Sequence, residues 1–169
     1  MSKKGPERSI ILPPLGLEIL ATNISDIAEV KIFDNLLYEG TLAEISKVIS
    51  NFKPNYVGIS CCYTFQISHA IKIARLGKEF GATTVLGGWH PTLAPNETIN
   101  YPSVDIIVHG EGDLTFRALI EKRSPFGVKG LSYKQNGAVI NNEKRELMDL
   151  TNMRITDRTL RSQNRKHYY

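Results

Sequence analysis

The strongest constraint on the fold is an alternation along the chain: apolar segments with helical spacing alternate with short apolar segments typical of buried strands. This order is typical of an α/β domain built on a mostly parallel sheet. We therefore expect a flavodoxin-like, or Rossmann-like, doubly wound parallel sheet that ends in a β-hairpin. The predicted helices are 15–28, 42–53, 66–80, 93–101 and 114–122, and the predicted strands are 30–34, 56–62, 83–86, 104–108, 130–134 and 138–140.

Local signals define some of these elements sharply and others poorly. Thr41 and Glu44 have the spacing of a capping box, which predicts a helix beginning at residue 42. Asn136 and Gly137 lie between two strand-like segments and predict a type I′ turn, because both residues tolerate positive φ. The segment 93–101 is a weaker helix because Pro95 interrupts it.

Length and charge exclude several classes of protein. The 169 residues fit one domain of ordinary size. The formal net charge of +4 comes mainly from the last sixteen residues. Charge at a chain end favours a solvated tail or linker over a nucleic-acid-binding face. The basic residues of this tail are Arg154, Arg158, Arg161, Arg165 and Lys166.

Cys61 and Cys62 are the only cysteines, and they are adjacent. A regular strand directs neighbouring side chains to opposite faces, so we predict neither a disulfide between them nor a zinc site. The chain opens with no basic-then-apolar signal and contains no apolar run of membrane-spanning length. The expected location is the reducing cytoplasm, without a membrane span.

Ligands of doubly wound sheets bind at the carboxyl ends of the strands, and the first candidate loop follows strand 56–62 there. Ser60 and Thr64 offer hydroxyl groups to a ligand. Capping of the following helix explains the same two residues without any ligand.

The second candidate loop, 87–92, follows strand 83–86. Gly87 and Gly88 permit unusual φ values and the close approach of a ligand to the backbone. Trp89 and His90 are expected at the rim of this site, although a lone histidine is more often structural than a ligand.

The third candidate loop, 109–113, leads into a helix. Gly110 and Gly112 loosen the turn, and Glu111 and Asp113 suit the positive end of the helix dipole. Glu111 has no evident catalytic partner, so we do not assign it as a general acid or base.

Together and in this order, the motifs resemble the cobalamin-binding domain at the front of many radical S-adenosylmethionine enzymes. The resemblance runs from about Pro13 to Leu150. The matching residues are 13–17, Asp34, 53–60, 87–92, Val104, Asp105 and 110–113.

This resemblance implies a corrinoid, cobalamin, lying over the carboxyl ends of the strands. It assigns no catalytic residue and no metal ligand to this chain, and it leaves the lower axial ligand of cobalt open. The cofactor-binding residues implied are Leu15, Gly16, Ser60, Cys61, Thr64, Gly87, Gly88, Trp89, His90, Gly110, Glu111 and Gly112.

The sequence departs from related patterns at three places. The Asp-x-His-x-x-Gly motif that places a histidine on cobalt in many corrinoid proteins is absent, and residues 13–16 stand in its place. The first strand is short or missing, because only residues 9–12 are available for it. The iron–sulfur cluster of a radical enzyme needs three thiolates, typically in Cys-x-x-x-Cys-x-x-Cys, and two adjacent cysteines cannot supply them.

We therefore expect a cobalamin-binding domain at 9–150 and a basic tail or linker at 151–169 that leads toward an absent radical S-adenosylmethionine barrel. The iron–sulfur cluster and S-adenosylmethionine would belong to that barrel, which a separate subunit could supply. No catalysis is expected from this polypeptide alone. The alternative is a non-catalytic flavodoxin-like signalling or interaction domain, but a phosphoacceptor receiver needs an aspartate where Ser60 and Cys61 stand.

Overall fold

Helices cover both faces of a five-stranded sheet in the computed structural model, which describes residues 12–35, 41–149, 151 and 153–160. The strands lie side by side in chain order, with the first three parallel and the last two antiparallel to their neighbours. This mixed sheet confirms the predicted flavodoxin-like class with a terminal hairpin. The strands are β1 (Tyr56–Ser60), β2 (Thr83–Gly87), β3 (Ile106–Val108), β4 (Leu131–Gln135) and β5 (Ala138–Asn141).

Six α-helices fall within the described residues, and short 3₁₀ turns occur at Thr64–Gln66 and Arg158–Leu160. The helices are α1 (Leu15–Ile24), α2 (Leu42–Phe52), α3 (Ile67–Glu79), α4 (Trp89–Leu93), α5 (Pro95–Asn100) and α6 (Asp113–Lys122).

The two sharpest local predictions are confirmed. Thr41 caps α2 through its hydroxyl, which accepts the Glu44 N–H at 3.3 Å, while the Glu44 carboxylate accepts the Thr41 N–H at 3.3 Å. Asn136 and Gly137 both have positive φ, as a type I′ turn requires, and they join β4 to β5.

The core consists of one apolar layer on each face of the sheet. Neighbouring strand residues point to opposite faces, so Leu86 packs with the α3 side while Val85 packs with the α6 side. Ile107 and Ile106 of β3 divide in the same way. Helix α1 packs beside α6, and Leu20 in the middle of α1 lies against Gly112, in the loop that precedes α6.

The predicted strand 30–34 is wrong, because residues 30–34 form no strand. A short strand exists only by pairing, and its local pattern does not show whether a neighbour is present. Within the described part of the chain, β1 pairs on one side only, with β2. Of the predicted first strand, residues 9–11 lie outside the description, and Leu12 is 68% exposed and not in a strand.

Two helices also differ from their predicted bounds. Helix α1 ends at Ile24 in a turn, short of residue 28. The predicted helix 93–101 is replaced by α4 and α5, which meet at Ala94. Pro91 fits inside α4 because the first turn of a helix needs no N–H at that position.

Residues 153–160 return to the end of α1. The Asp157 N–H donates to the Thr22 hydroxyl at 2.9 Å, and Arg154 joins Arg117 on the carboxylate of Asp26. Hydrogen bonds from Arg117 and then Arg154 lower the pKa of Asp26. The boundary between a domain at 9–150 and a tail at 151–169 stays a prediction. None of the helices described is long and apolar enough to cross a membrane.

Candidate functional site

The loops after β1, β2 and β3 are joined to one another by hydrogen bonds at the carboxyl edge of the sheet. The Cys61 N–H donates to the Gly87 carbonyl at 2.8 Å, and the Cys61 carbonyl accepts the His90 N–H at 3.1 Å. The Gly110 N–H donates to the Thr92 hydroxyl at 3.0 Å. The three loops that the sequence singled out are therefore one connected unit.

Gly88 allows the first two loops to come this close. Its φ is +105°, and a Cβ at this position would lie 2.7 Å from the Cys61 carbonyl oxygen and 2.9 Å from the carbonyl carbon. Real Cβ atoms do not approach backbone so closely. Cys61 fills the space that a Cβ on Gly88 would occupy, so glycine at this position lets the first two loops meet. A contact between Gly88 and a ligand stays a prediction.

The two cysteines occupy different environments. The Cys61 side chain is fully buried in the α3-side core, and Cys62 is exposed. Burial, with a smaller contribution from the neighbouring Cys62 thiol, raises the pKa of the Cys61 thiol. Cys61 therefore remains a neutral core side chain, and its backbone is what joins the loops. Ser60, at the end of β1, is exposed beside Cys62, with 3.6 Å between Oγ and Sγ.

His90 is buried, so its expected position at the rim is wrong. Helix α4 turns the ring inward, where it is 5% exposed, while Trp89 stays outside at 70% exposed. The His90 Nδ1 atom lies 3.3 Å from the Thr64 hydroxyl. The Nε2 atom is buried and has no hydrogen-bond partner among the described residues. His90 thus links the first loop to the second through its ring as well as through its backbone.

We expect the Thr64→Val substitution to reduce the free energy of unfolding by about 1–2 kcal/mol, because it leaves both buried ring nitrogens of His90 without a partner. Urea denaturation followed by circular dichroism measures this change. Thr64→Ser keeps the hydroxyl and should stay close to wild type. Equal stability of the serine and valine variants would show that the hydroxyl is not what matters.

The outer surface of the three loops is open and rich in apolar rings. A Cβ on Gly16 or Gly110 would have no heavy atom within 4 Å. Tyr63 and Phe65 stack with their ring centroids 5.5 Å apart and are 61% and 81% exposed, respectively. Exposed rings and uncrowded glycines leave room for a broad, flat, largely apolar ligand.

The remaining predicted site residues border this surface. Leu15, at the start of α1, is 49% exposed. Gly87 ends β2, and Gly112 lies against α1, since a Cβ there would be 3.3 Å from a Leu20 methyl carbon. Glu111 is exposed, and its Oε2 accepts the Met148 N–H at 3.1 Å. The twelve residues proposed as cofactor-binding therefore include two, Cys61 and His90, whose side chains are buried.

His109 and Ser132 form a close pair that is structural rather than nucleophilic. The Ser132 hydroxyl lies 2.6 Å from His109 Nε2 and donates to the Asn141 side-chain oxygen. It therefore accepts its hydrogen bond from the histidine, so the ring does not take a proton from it. Ser132 is also 2% exposed, beyond the reach of a substrate. The pair fastens the hairpin to the end of β3.

Burial lowers the pKa of His109 below its ordinary value of 6.5. The neutral ring therefore stabilises the fold above that pH, and this stabilisation is lost as the pH falls through the lowered pKa. We expect the free energy of unfolding to fall between about pH 7.5 and pH 5.5, and to fall less in His109→Gln, whose amide can still donate to Ser132. Urea titrations at each pH make the comparison.

Asp113, the first residue of α6, also makes stability depend on pH, in the direction opposite to His109. Burial, and secondarily the Glu111 carboxylate, raises the pKa of Asp113, so it contributes stability at low pH that is lost as the pH rises. Wild type and His109→Gln both contain Asp113, so its contribution cancels when their pH slopes are compared. Identical pH slopes in wild type and His109→Gln would contradict the role given to His109.

Sequence reasoning missed two contributors to the site. Thr92 bridges the second and third loops, accepting the Gly110 N–H and donating to the Gly88 carbonyl at 2.8 Å. A threonine four residues after a glycine-rich turn was the available signal. The Met148 N–H was not predictable, because a backbone contact across 37 residues leaves no local pattern. Conversely, Asp105 serves the amino ends of the strands, where it accepts hydrogen bonds from Lys78 and Thr84.

The sequence profile of the B12 binding domain matches residues 7–120. The chain belongs to this family. The match covers all three loops of the connected unit and confirms the family predicted from the motifs, with cobalamin as the family's ligand.

Known relatives extend well beyond this region. An uncharacterized methyltransferase of Pyrococcus horikoshii, PH0819, is 38% identical over 143 residues, which cover 80% of this chain and 31% of the relative. The cobalamin-dependent S-adenosylmethionine radical enzyme OxsB, solved with aqua-cobalamin and S-adenosylmethionine, superposes with a TM-score of 0.70 at 24% identity, over 82% of this chain and 20% of that one. TsrM from Kitasatospora setae, a radical S-adenosylmethionine methyltransferase solved with cobalamin and a [4Fe-4S] cluster, gives 0.68 at 18% identity, over 88% and 29%. The chain spans a third or less of each.

The open surface fits a corrinoid. A corrin ring is broad and flat with amide groups at its periphery, and the surface offers exposed rings, uncovered glycines at positions 16 and 110, and the hydroxyl of Ser60. No group of three His, Cys, Asp or Glu side chains that could hold a metal ion occurs in the part of the chain that is described.

Proposed function

We propose that this chain holds cobalamin over the carboxyl ends of β1, β2 and β3 and presents it to a radical S-adenosylmethionine catalytic domain. The observation that carries the proposal is the open apolar surface on three mutually bonded loops, at the edge where doubly wound sheets bind their ligands, in a chain of the B12 binding domain family. The matched relatives include methyltransferases, which supports methyl-group transfer as the reaction served.

Different residues of the surface contribute to binding in different ways. Gly16 and Gly110 leave space for the ligand, and the rings of Trp89 and Phe65 exclude water from its edge. Ser60 and Glu111 supply a hydroxyl and a carboxylate for the peripheral amides. Bound cobalamin would supply a cobalt centre able to accept and pass on a methyl group. The catalytic domain, with its cluster and S-adenosylmethionine, would be contributed by another part of the protein or by a separate subunit.

The test is an absorbance titration of the purified protein with hydroxocobalamin, combined with the fluorescence of Trp89. Trp89 is the only tryptophan of the sequence and is 70% exposed at the proposed site, so a bound corrinoid should quench it. Stoichiometric binding with parallel quenching is the expected result. A folded protein that neither shifts the absorbance spectrum nor loses fluorescence would refute the proposal.

Cys62 provides the necessary control, because an exposed thiol can coordinate cobalt without any binding site. Cys62→Ser should bind hydroxocobalamin as wild type does. Binding that disappears with the thiol would show simple thiol coordination and would contradict a built corrinoid site.

A further inference from the structure

A strap, defined here as residues 143–149, runs from the hairpin across the start of α6 to the third loop of the site. At its beginning, the Gly130 N–H donates to the Glu143 carbonyl at 2.7 Å. In its middle, Arg145 Nε donates to the Thr115 hydroxyl at 2.7 Å, and Thr115 is fully buried in the first turn of α6. Near its end, the Met148 N–H donates to Glu111. The strap therefore has a fixed base, and near its end it is hydrogen-bonded to a carboxylate of the site.

The backbone around Glu111 does little to fix the position of its side chain. Gly110 before it has φ +64° and open space around it, and Gly112 follows. The side chain is exposed, so neighbouring atoms do not hold it by packing. The Met148 N–H is the group that gives its carboxylate a defined position, at 3.1 Å from Oε2.

The second oxygen of this carboxylate remains available to a ligand. Among the described residues, Oε1 of Glu111 takes no hydrogen bond, and the residue borders the open surface beside Gly110. A carboxylate accepts hydrogen bonds on both oxygens at once. One oxygen can therefore be held by the strap while the other meets an amide N–H.

We propose that the strap is a positioning element of the corrinoid site: the Met148 N–H holds Glu111 so that its other carboxylate oxygen accepts a hydrogen bond from a peripheral amide of the corrinoid. This inference rests on the proposed function. Because coupling between two binding events is reciprocal, a bound corrinoid also strengthens the hold of Glu111 on the strap. The strap, which leads into the chain after residue 149, is therefore held more tightly when the site is filled than when it is empty.

The decisive variant is Met148→Pro, which removes the N–H donor and leaves Glu111 intact. Leu147→Pro is the matched control, because Leu147 is 85% exposed in the same strap and its N–H does not contact Glu111. Glu111→Gln tests the other partner, since it removes the negative charge and one of the two carboxylate oxygens, so that strap and ligand must share a single, weaker acceptor oxygen. The full chain is used throughout.

Two measurements are made on each protein. Hydrogen–deuterium exchange of strap amides, without and with hydroxocobalamin, measures the tether, and the absorbance titration measures affinity. In wild type the corrinoid should slow strap exchange. Met148→Pro and Glu111→Gln should each speed strap exchange without ligand and weaken binding about fivefold, and the double variant should bind no worse than either single one. Leu147→Pro should bind within about twofold of wild type.

The inference is overturned if Met148→Pro binds as wild type does, if the two losses add in the double variant, or if bound corrinoid leaves strap exchange unchanged. Failure of the proposed function has a different signature: wild type then shows no binding, while strap exchange without ligand still rises in both variants. Any thermal shift of Met148→Pro is compared with that of Leu147→Pro, which separates a general effect of proline from loss of the donor.

Discussion

Gly88→Ala should lower the free energy of unfolding by about 3 kcal/mol or more, the largest effect expected of any small substitution in the three loops. The added methyl carbon would stand 2.7 Å from the Cys61 carbonyl oxygen, and that carbonyl is itself bonded to the His90 N–H. To make room, β1 and α4 must separate, so the hydrogen bond between them is lost together with the packing.

Gly81→Ala is the control that separates overlap from backbone strain. Gly81 also has positive φ, +78°, but a Cβ there meets nothing within 4 Å, so it should cost only about 1 kcal/mol. Both variants are compared by urea denaturation. A similar loss of unfolding free energy in Gly88→Ala and Gly81→Ala would mean that the positive φ accounts for the whole effect and that the contact with Cys61 adds nothing. Loss of corrinoid binding by Gly88→Ala would report separated loops rather than a blocked ligand.

Gly16→Phe should weaken hydroxocobalamin binding at least tenfold while the protein stays folded. Leu20 already reaches Gly112 at the carboxyl edge of the sheet, so Gly16, one helical turn earlier, stands at or beyond that edge. Side chains of a helix lean toward its beginning, so a phenylalanine there extends over the proposed site. A Cβ at Gly16 meets no neighbouring atom within 4 Å, and the position is exposed, so we expect the unliganded protein to accept a larger side chain there.

The matched variant is Gly16→Ala, which should bind within about twofold of wild type and be no less stable, because alanine is the better helix former. The titration that tests the proposed function measures both proteins. Wild-type affinity in Gly16→Phe would mean that the corrinoid does not cover the start of α1, and the site would then be confined to the three loops.

Local chemistry made part of this fold predictable. The capping box at Thr41 and the turn at Asn136 depend only on residues within a few positions of one another, and both were predicted correctly. The parallel strands β1, β2 and β3 were predictable because buried strands are continuously apolar and their helices alternate with them. The three loops followed from the rule that ligands bind at the carboxyl ends of such strands.

What could not be predicted depends on contacts between distant residues. Residues 30–34 have a strand-like pattern, but a strand needs a partner, and none of the described residues pairs with them. The burial of His90 follows from α4 bending back onto Cys61, a result of the Gly88 conformation that the residue types alone do not specify. The contact between the strap and Glu111 could not be predicted either, because it depends on the path that the chain takes in the folded protein.

The hydrogen bonds among the three loops have a consequence for the rate of ligand capture. Cys61, Gly87, His90, Thr92 and Gly110 already fix the loops against each other before any ligand arrives. A preorganised site loses little chain entropy on binding, and its backbone should move by less than about 1 Å. Binding of hydroxocobalamin should then proceed in a single exponential phase. Its observed rate constant should rise linearly with hydroxocobalamin concentration, with no slower phase from closure of the loops.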